Sequence, residues 1–319
     1  MKHNKMLAGG TGEGVKQINR RSVWKRIKRD KYLYLMFSIA FFAVLIFSYL
    51  PMFGIVMAFQ DFNIFDGFLH SEWVGLENFK KVFTQKRFLS AIGNTLWVSI
   101  LNLLISFPAP IILALLINEL EGKWFKRITQ TISYLPHFLS WISVIGIINV
   151  LFGRDGLIND ALLSMGIIEE RITYLAQQGN FIWFIIGSTL WKETGWGTVI
   201  HLANLSSINP ELYEAAGIDG ATRLQKIRYI TLPHMIPSVM ILLIFKMGSL
   251  FSSNFELIHG LQNPYIDFDV ISTIIYQTGI KGGGYSMATA VSMSEGLIAL
   301  LLVLLTNKIA EKVSGSGIF

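Results

Sequence analysis

Four charged residues interrupt stretches that are otherwise apolar: Lys192 and Glu193 in TLWKETGW, Lys246 in LIFKMGSLFSSNFE and Glu295 in SMSEGLIAL. A charge at the centre of a bilayer costs about 2.5–3.5 kcal/mol on insertion scales, so each should face other protein or a wet cavity. Helical spacing groups them with polar and aromatic neighbours. Thr189, Glu193 and Trp196 fall at i, i+4 and i+7, and Lys246, Ser249 and Ser253 at i, i+3 and i+7. Each trio therefore shares one stripe of a helix. Adjacent residues point about 100° apart, so Lys192 and Glu193 are expected to pair with other helices rather than with each other. Two readings compete. Either the four charges, which sum to zero, form interior ion pairs that fix helix packing, or Thr189, Lys192, Glu193, Trp196, Lys246, Ser249 and Ser253 line a path for a polar substrate. The histidines show no metal-ligand spacing on a helix and the chain has no cysteine, so no metal ligand is assigned. The acids between the apolar runs form no motif for a nucleophile or a carboxylate pair, so no catalytic residue is assigned.

The elements that must position these residues are membrane helices. The 319 residues are 52% hydrophobic and only 15% charged. Runs of about 20 apolar residues are long enough to cross about 30 Å of hydrocarbon at 1.5 Å per residue. Six spans are expected, roughly over 32–58, 88–118, 128–152, 181–203, 235–259 and 285–307. The fold class is thus an all-α integral membrane protein. Pro51, Pro108, Pro110 and Pro136 fall inside the spans, where neighbouring helices satisfy the freed carbonyls. With the N-terminus in the cytoplasm, the cytoplasmic segments hold 18 Lys and Arg residues and the external ones 7. That asymmetry predicts a multi-pass protein of the plasma membrane with both termini cytoplasmic. The net charge of +6 follows the inner membrane surface, which argues against nucleic acid as a partner and for membrane lipid.

Residues 1–31 read as a basic tail that ends in an interfacial helix over 23–31, 32–309 as the membrane domain and 310–319 as a cytoplasmic tail. AGGTGEG lacks the Gly-Lys-Ser/Thr of a phosphate loop. The first apolar run begins near Tyr32 and is too long for the core of a secretory signal. Outside, WVGLENFKKVF spaces Leu76, Phe79, Val82 and Phe83 for a short helix.

The loop over 205–234 is polar but well patterned for helix. Asn209 is an N-cap, Pro210 suits the first turn, and Glu211 and Glu214 lie near the positive end of the dipole. Gly217 or Gly220 turns the chain, and Thr222 with Gln225 makes a capping box for a second helix through about Ile230, with Pro233 beyond. Leu212, Ala215 and Ala216 give the first helix a small apolar face. An ordinary hairpin between spans would be shorter and less ordered, so a second protein is expected to touch this one.

In this loop Glu214-Ala215-Ala216, Gly220, Ile230 and Leu232-Pro233 stand at the spacing of the EAA loop. The chain resembles the permeases of binding-protein-dependent ABC importers. YLPMFGIVMAFQDFNIF, WVGLENF, LYEAAGIDGAT and FELIHGLQNP resemble the maltose-type carbohydrate subgroup, especially its branch for oligosaccharides and polysaccharide fragments. The resemblance implies a type I importer permease whose EAA loop docks on a separate ATPase through Glu214, Ala215, Ala216, Gly220, Ile230, Leu232 and Pro233. It implies that ATP and magnesium sit on that ATPase and that no cofactor is bound by this chain. Its implied partners are a second homologous permease, two ATPase copies and a lipid-anchored extracellular solute-binding protein that delivers an oligosaccharide. The two polar stripes then fall on the helices that carry sugar contacts in the family, and Lys246 would meet an acidic sugar. The EAA loop is shared by peptide, amino-acid and phosphate permeases, which leaves a non-sugar solute as the alternative. An ion-coupled secondary transporter would need interrupted helices in both halves, of which WKETGW is a faint hint.

Overall fold

A computed structural model describes residues 28–314, so the expectations for 1–27 and 315–319 lie outside the described residues. The chain divides into two units, Met1–Gly54 and Ile55–Phe319. The first holds α1 (Lys31–Val44), continued by a π turn over Leu45–Tyr49. The second holds α2 (Lys86–Glu119), α3 (Lys123–Tyr134), α4 (Trp141–Phe152), α5 (Gln178–Ser206), α6 (Pro210–Ile218), α7 (Arg223–Gly248) and α8 (Tyr285–Ser314). The expected outer helix forms over Glu77–Thr84, with Val82 buried and Leu76 and Phe83 exposed. A short antiparallel ladder pairs Gln60–Asp61 with Glu72–Trp73.

By length and composition, five helical runs suit a membrane: Lys31–Phe59, Lys86–Glu119, Trp141–Ser164, Arg223–Gly248 and Tyr285–Lys312. The expectation was six. The run expected over 181–203 is the interior of α5, a 29-residue helix diluted by Lys192, Glu193 and three threonines, and it is not one of the five. Three other boundaries differ. The span expected over 128–152 is broken into α3 and α4 by a 3-10 turn at Leu135–Phe138. Pro136 cannot donate to the carbonyl of residue 132, and Ser140 starts α4 by accepting a bond from the Ser143 amide at 3.1 Å. The span expected over 235–259 stops at Gly248. The serines beyond it bond locally, Ser249 Oγ to Lys246 O at 3.1 Å, and a new helix, Phe255–Leu261, is capped by Asn254. Finally, α8 runs on to Ser314, past the expected start of the tail.

Proline explains another regularity. Of four π turns among the described residues, three, Leu45–Tyr49, Asn102–Ser106 and Ile227–Thr231, each end two residues before a proline, Pro51, Pro108 and Pro233; the fourth, Tyr276–Lys281, is followed by glycines. A proline ring clashes with the carbonyl four residues back. Widening the preceding turn relieves that clash while keeping the carbonyls bonded, as in Phe107 N to Asn102 O at 3.0 Å.

The helices approach most closely around α5. A Cβ on Gly195 would stand 1.8 Å from the Ser133 carbonyl oxygen of α3, and one on Gly197 would stand 2.8 Å from the Pro110 ring of α2. Small residues let helix backbones touch where lipid supplies no hydrophobic drive. Below this contact Ala114, Ile117, Leu202, Leu205 and Met235 pack α2, α5 and α7 together.

Gly195→Ala should therefore force α3 and α5 apart. A melting temperature reduced by the equivalent of about 1–3 kcal/mol is expected in detergent. Gly187→Ala, on the same helix with open space at its Cβ, should melt like the parent.

Candidate functional site

The break after Gly248 opens a polar cavity between helices. Its volume is about 250 Å³. Ser99 and Asn102 come from α2, Trp141 from α4, Thr189 and Glu193 from α5, Lys246 from α7, and Ser249, Ser252, Ser253 and Asn254 from the break. The break is held in place by Ser99, which donates its hydroxyl to the Leu250 carbonyl, and by Ser253, whose Oγ meets Ser272 Oγ at 3.0 Å. Among the described residues no carboxylate lies within ion-pair distance of Lys246 Nζ; Glu193 is the acid that shares its cavity. One ammonium, one carboxylate, several hydroxyls, two amides and an indole thus face one small space. That is a set for binding a polyhydroxylated, polar molecule.

Of the seven residues the sequence singled out, Thr189, Glu193, Lys246, Ser249 and Ser253 line this cavity. Ser253 reaches it from beyond the break, not from the stripe of an unbroken helix. Lys192 and Trp196 do not line it. Lys192 is 6% exposed, with its Nζ donating to His137 O at 2.8 Å and meeting Glu193 Oε1 at 3.3 Å. The expectation that Lys192 and Glu193 avoid each other is corrected: long side chains bridge the 100° between them. Both also engage His137, whose Nδ1 lies 2.9 Å from Glu193 Oε2. Trp196 stacks on the His137 ring, with centroids 4.8 Å apart and planes 4° from parallel. The aromatic face at the cavity belongs to Trp141, which also covers the Lys192 ammonium at 4.9 Å.

His137, Trp141, Ser99 and Asn102 were missed. No spacing rule links them to Glu193. The one available signal was Pro136, which marks a break that turns His137 and Trp141 inward. Glu295 does not line the cavity, and no cation lies within ion-pair distance of it among the described residues.

A second candidate is the α6–α7 loop. Asn209 Oδ1 caps α6 through the Glu211 amide at 3.1 Å, and both halves of the Thr222–Gln225 capping box are present. Gly220, at φ +76°, makes the turn; Gly217 stays helical. The second helix does not end near Ile230. It continues through the Ile227–Thr231 π turn to Gly248, so loop and membrane run are one helix, α7. Tyr213 and Ile230 pack on the cluster below α5, and Tyr213 Oη meets Thr231 Oγ1 at 2.9 Å. Glu214, Ala215, Gly220, Leu232 and Pro233 are exposed, Ala216 and Ile230 half-buried. Leu212, Ile218 and Leu224 add an exposed apolar rim, the last two unremarked in the sequence.

Residues 106–313 match the family described as binding-protein-dependent transport system inner membrane component. The chain is 40% identical over 307 residues to the polygalacturonan/rhamnogalacturonan transport system permease protein YteP of Bacillus subtilis (strain 168), covering 95% of each. It is 28% identical over 322 residues to the arabinooligosaccharides transport system permease protein AraP of the same organism, covering 98% of each. Among solved structures it is similar to a chain of a bacterial ABC transporter involved in import of the acidic polysaccharide alginate. The TM-score is 0.83 at 40% identity, covering 92% of this chain and 99% of that one. The same values hold for that transporter in complex with an alginate pentasaccharide-bound periplasmic protein.

The site separates a structural cation from a free one. Lys192→Met strands the His137 carbonyl and one Glu193 oxygen and should destabilise the detergent-solubilised protein by about 1–3 kcal/mol. Lys246→Met breaks no hydrogen bond or ion pair among the described residues and removes a charge from a membrane run, so it should not destabilise the protein. Thermal denaturation of the two variants beside the parent checks both.

Proposed function

The chain belongs to the binding-protein-dependent transport system inner membrane component family, and from that premise we propose that it is the permease subunit of an ATP-driven importer of acidic oligosaccharides. As a member of that family it is a transport component, not an enzyme. The carrying observation is the cavity in which Lys246, without an ion-pair partner among the described residues, faces Glu193, Trp141 and the hydroxyls of the break. A uronate carboxylate would meet Lys246, its ring would lie on Trp141, and its hydroxyls would exchange bonds with Thr189, Ser249 and Ser253. Related proteins act on polygalacturonan and alginate, which supports a negatively charged glycan.

In this reading α5 is the sixth crossing. Its 29 residues reach about 43 Å at 1.5 Å per residue, and its charges are shielded by His137 and the cavity. The excess of basic residues on one side supports an orientation with both termini in the cytoplasm. The α6–α7 loop is then the EAA loop, docked on a separate ATPase that binds ATP and magnesium. Glu214, Ala215, Ala216 and Gly220 with the apolar rim form the docking surface, and Leu232 and Pro233 flank it. Ile230 acts from behind, seating α7 on the cluster. Because α7 is continuous, movement at Arg223 is carried to Lys246 and the break. A second permease, two ATPase copies and an extracellular lipid-anchored binding protein complete the assembly.

Two outcomes are expected in the reconstituted transporter. Glu214→Lys should leave the chain folded but remove glycan-stimulated ATP hydrolysis, and Gly220→Val, strained at φ +76°, should do the same by distorting the turn; normal stimulation would refute the docking role. Lys246→Gln should raise the half-saturating concentration for a uronate oligosaccharide about tenfold or more, as loss of a charge-assisted bond of about 1.5–3 kcal/mol implies, and leave a neutral one unchanged. Equal effects on the two glycans would remove the acidic specificity.

A further inference from the structure

Helix α3 carries features that neither the cavity nor the α6–α7 loop uses. Lys123, Lys126 and Arg127 cluster in its first turns. Among the described residues none has a carboxylate within ion-pair distance. Glu121, the acid beside them in sequence, is bound instead to Arg223 at 2.8 Å. Trp124 is 78% exposed and Phe125 55%, and no residue of α3 is buried. Trp124, Arg127, Ile128, Thr131 and Ile132 fall on one face of the helix and wall a cleft of about 350 Å³. The cleft therefore pairs the Arg127 guanidinium, flanked one turn earlier by exposed Lys123, with an apolar trough, and an indole stands at its mouth; Lys126 projects from the opposite side of the helix.

We propose that this cleft binds an anionic phospholipid of the inner leaflet. Arg127, with Lys123, holds the phosphate; an acyl chain follows Ile128 and Ile132; Trp124 sits at headgroup depth. The inference rests on the orientation given under the proposed function, which puts the start of α3 at the cytoplasmic surface. Charge complementarity selects the occupant. That leaflet is negatively charged and attracts juxtamembrane basic residues, and amphipathic indoles concentrate where hydrocarbon meets headgroup. A neutral lipid would fill the trough but leave two cations uncompensated.

The test uses the full-length chain reconstituted in phosphatidylcholine vesicles that contain brominated phosphatidylglycerol or, at equal content, brominated phosphatidylcholine. Subtracting the emission of Trp124→Phe isolates the Trp124 signal. That signal should be quenched with about fivefold stronger apparent association by the anionic lipid, the ratio that one basic residue near the surface supplies. Combining Arg127→Gln with Lys123→Gln should abolish the preference. Equal quenching by both lipids overturns the proposal. So does a preference that survives the double substitution, or protection of Trp124 from both lipids, as a covering subunit would give. Soluble glycerol phosphate should not relieve the quenching; relief would assign the cleft to a free anion instead. The readout involves neither glycan nor nucleotide, so its failure and a failure of the transport reading are separable.

Discussion

The arrangement around the cavity depends on how one buried ammonium is satisfied. Lys192 lies in a helix that otherwise packs closely, at Gly195 against the Ser133 backbone and at Gly197 against the Pro110 ring. An unpaired cation there would be costly. A neighbouring acid supplies only part of the answer. The remainder comes from the His137 carbonyl, free to accept because Pro136 has broken the helical bonding around it. The same break swings the His137 ring onto Glu193 and brings Trp141 over the ammonium. Burying Lys192, breaking the third expected span and shaping one wall of the cavity are thus a single packing solution.

What was legible in the sequence was local. Asn209, Thr222 and Gln225 act through bonds to backbone within three residues, and they do what their types predict. The apolar runs were legible because burial in lipid leaves so few polar residues. What was not legible depended on contacts between distant elements. His137 and Glu193 are 56 positions apart, and nothing in either neighbourhood announces the other. Trp196 has the spacing of a cavity residue, but His137 captures its ring. Helical stripes place residues on a face without saying which neighbour that face meets. The break at Gly248 shows a related blind spot. A greasy run reads as one helix, although its Ser and Asn residues compete for backbone bonds. The serines beyond the break nevertheless bend back to the same cavity.

The three proline-linked π turns reconcile two demands that look opposed. A membrane helix needs every carbonyl bonded, yet proline removes a donor and crowds a carbonyl. Widening one turn ahead of the ring meets both. In α7 this keeps the path from Arg223 to Gly248 unbroken across Pro233. The break at Leu135–Phe138 is the contrasting case, where no wide turn forms and the helix divides.

The cavity's size carries a thermodynamic consequence. Its 250 Å³ leaves room for several waters. Empty of any solute, its carboxylate and hydroxyls can bond water, while the half-buried Lys246 ammonium is only partly hydrated. An incoming sugar trades those bonds nearly one for one. Grip should accordingly be shallow, and shallow grip suits a conduit that must let go of what it has just accepted.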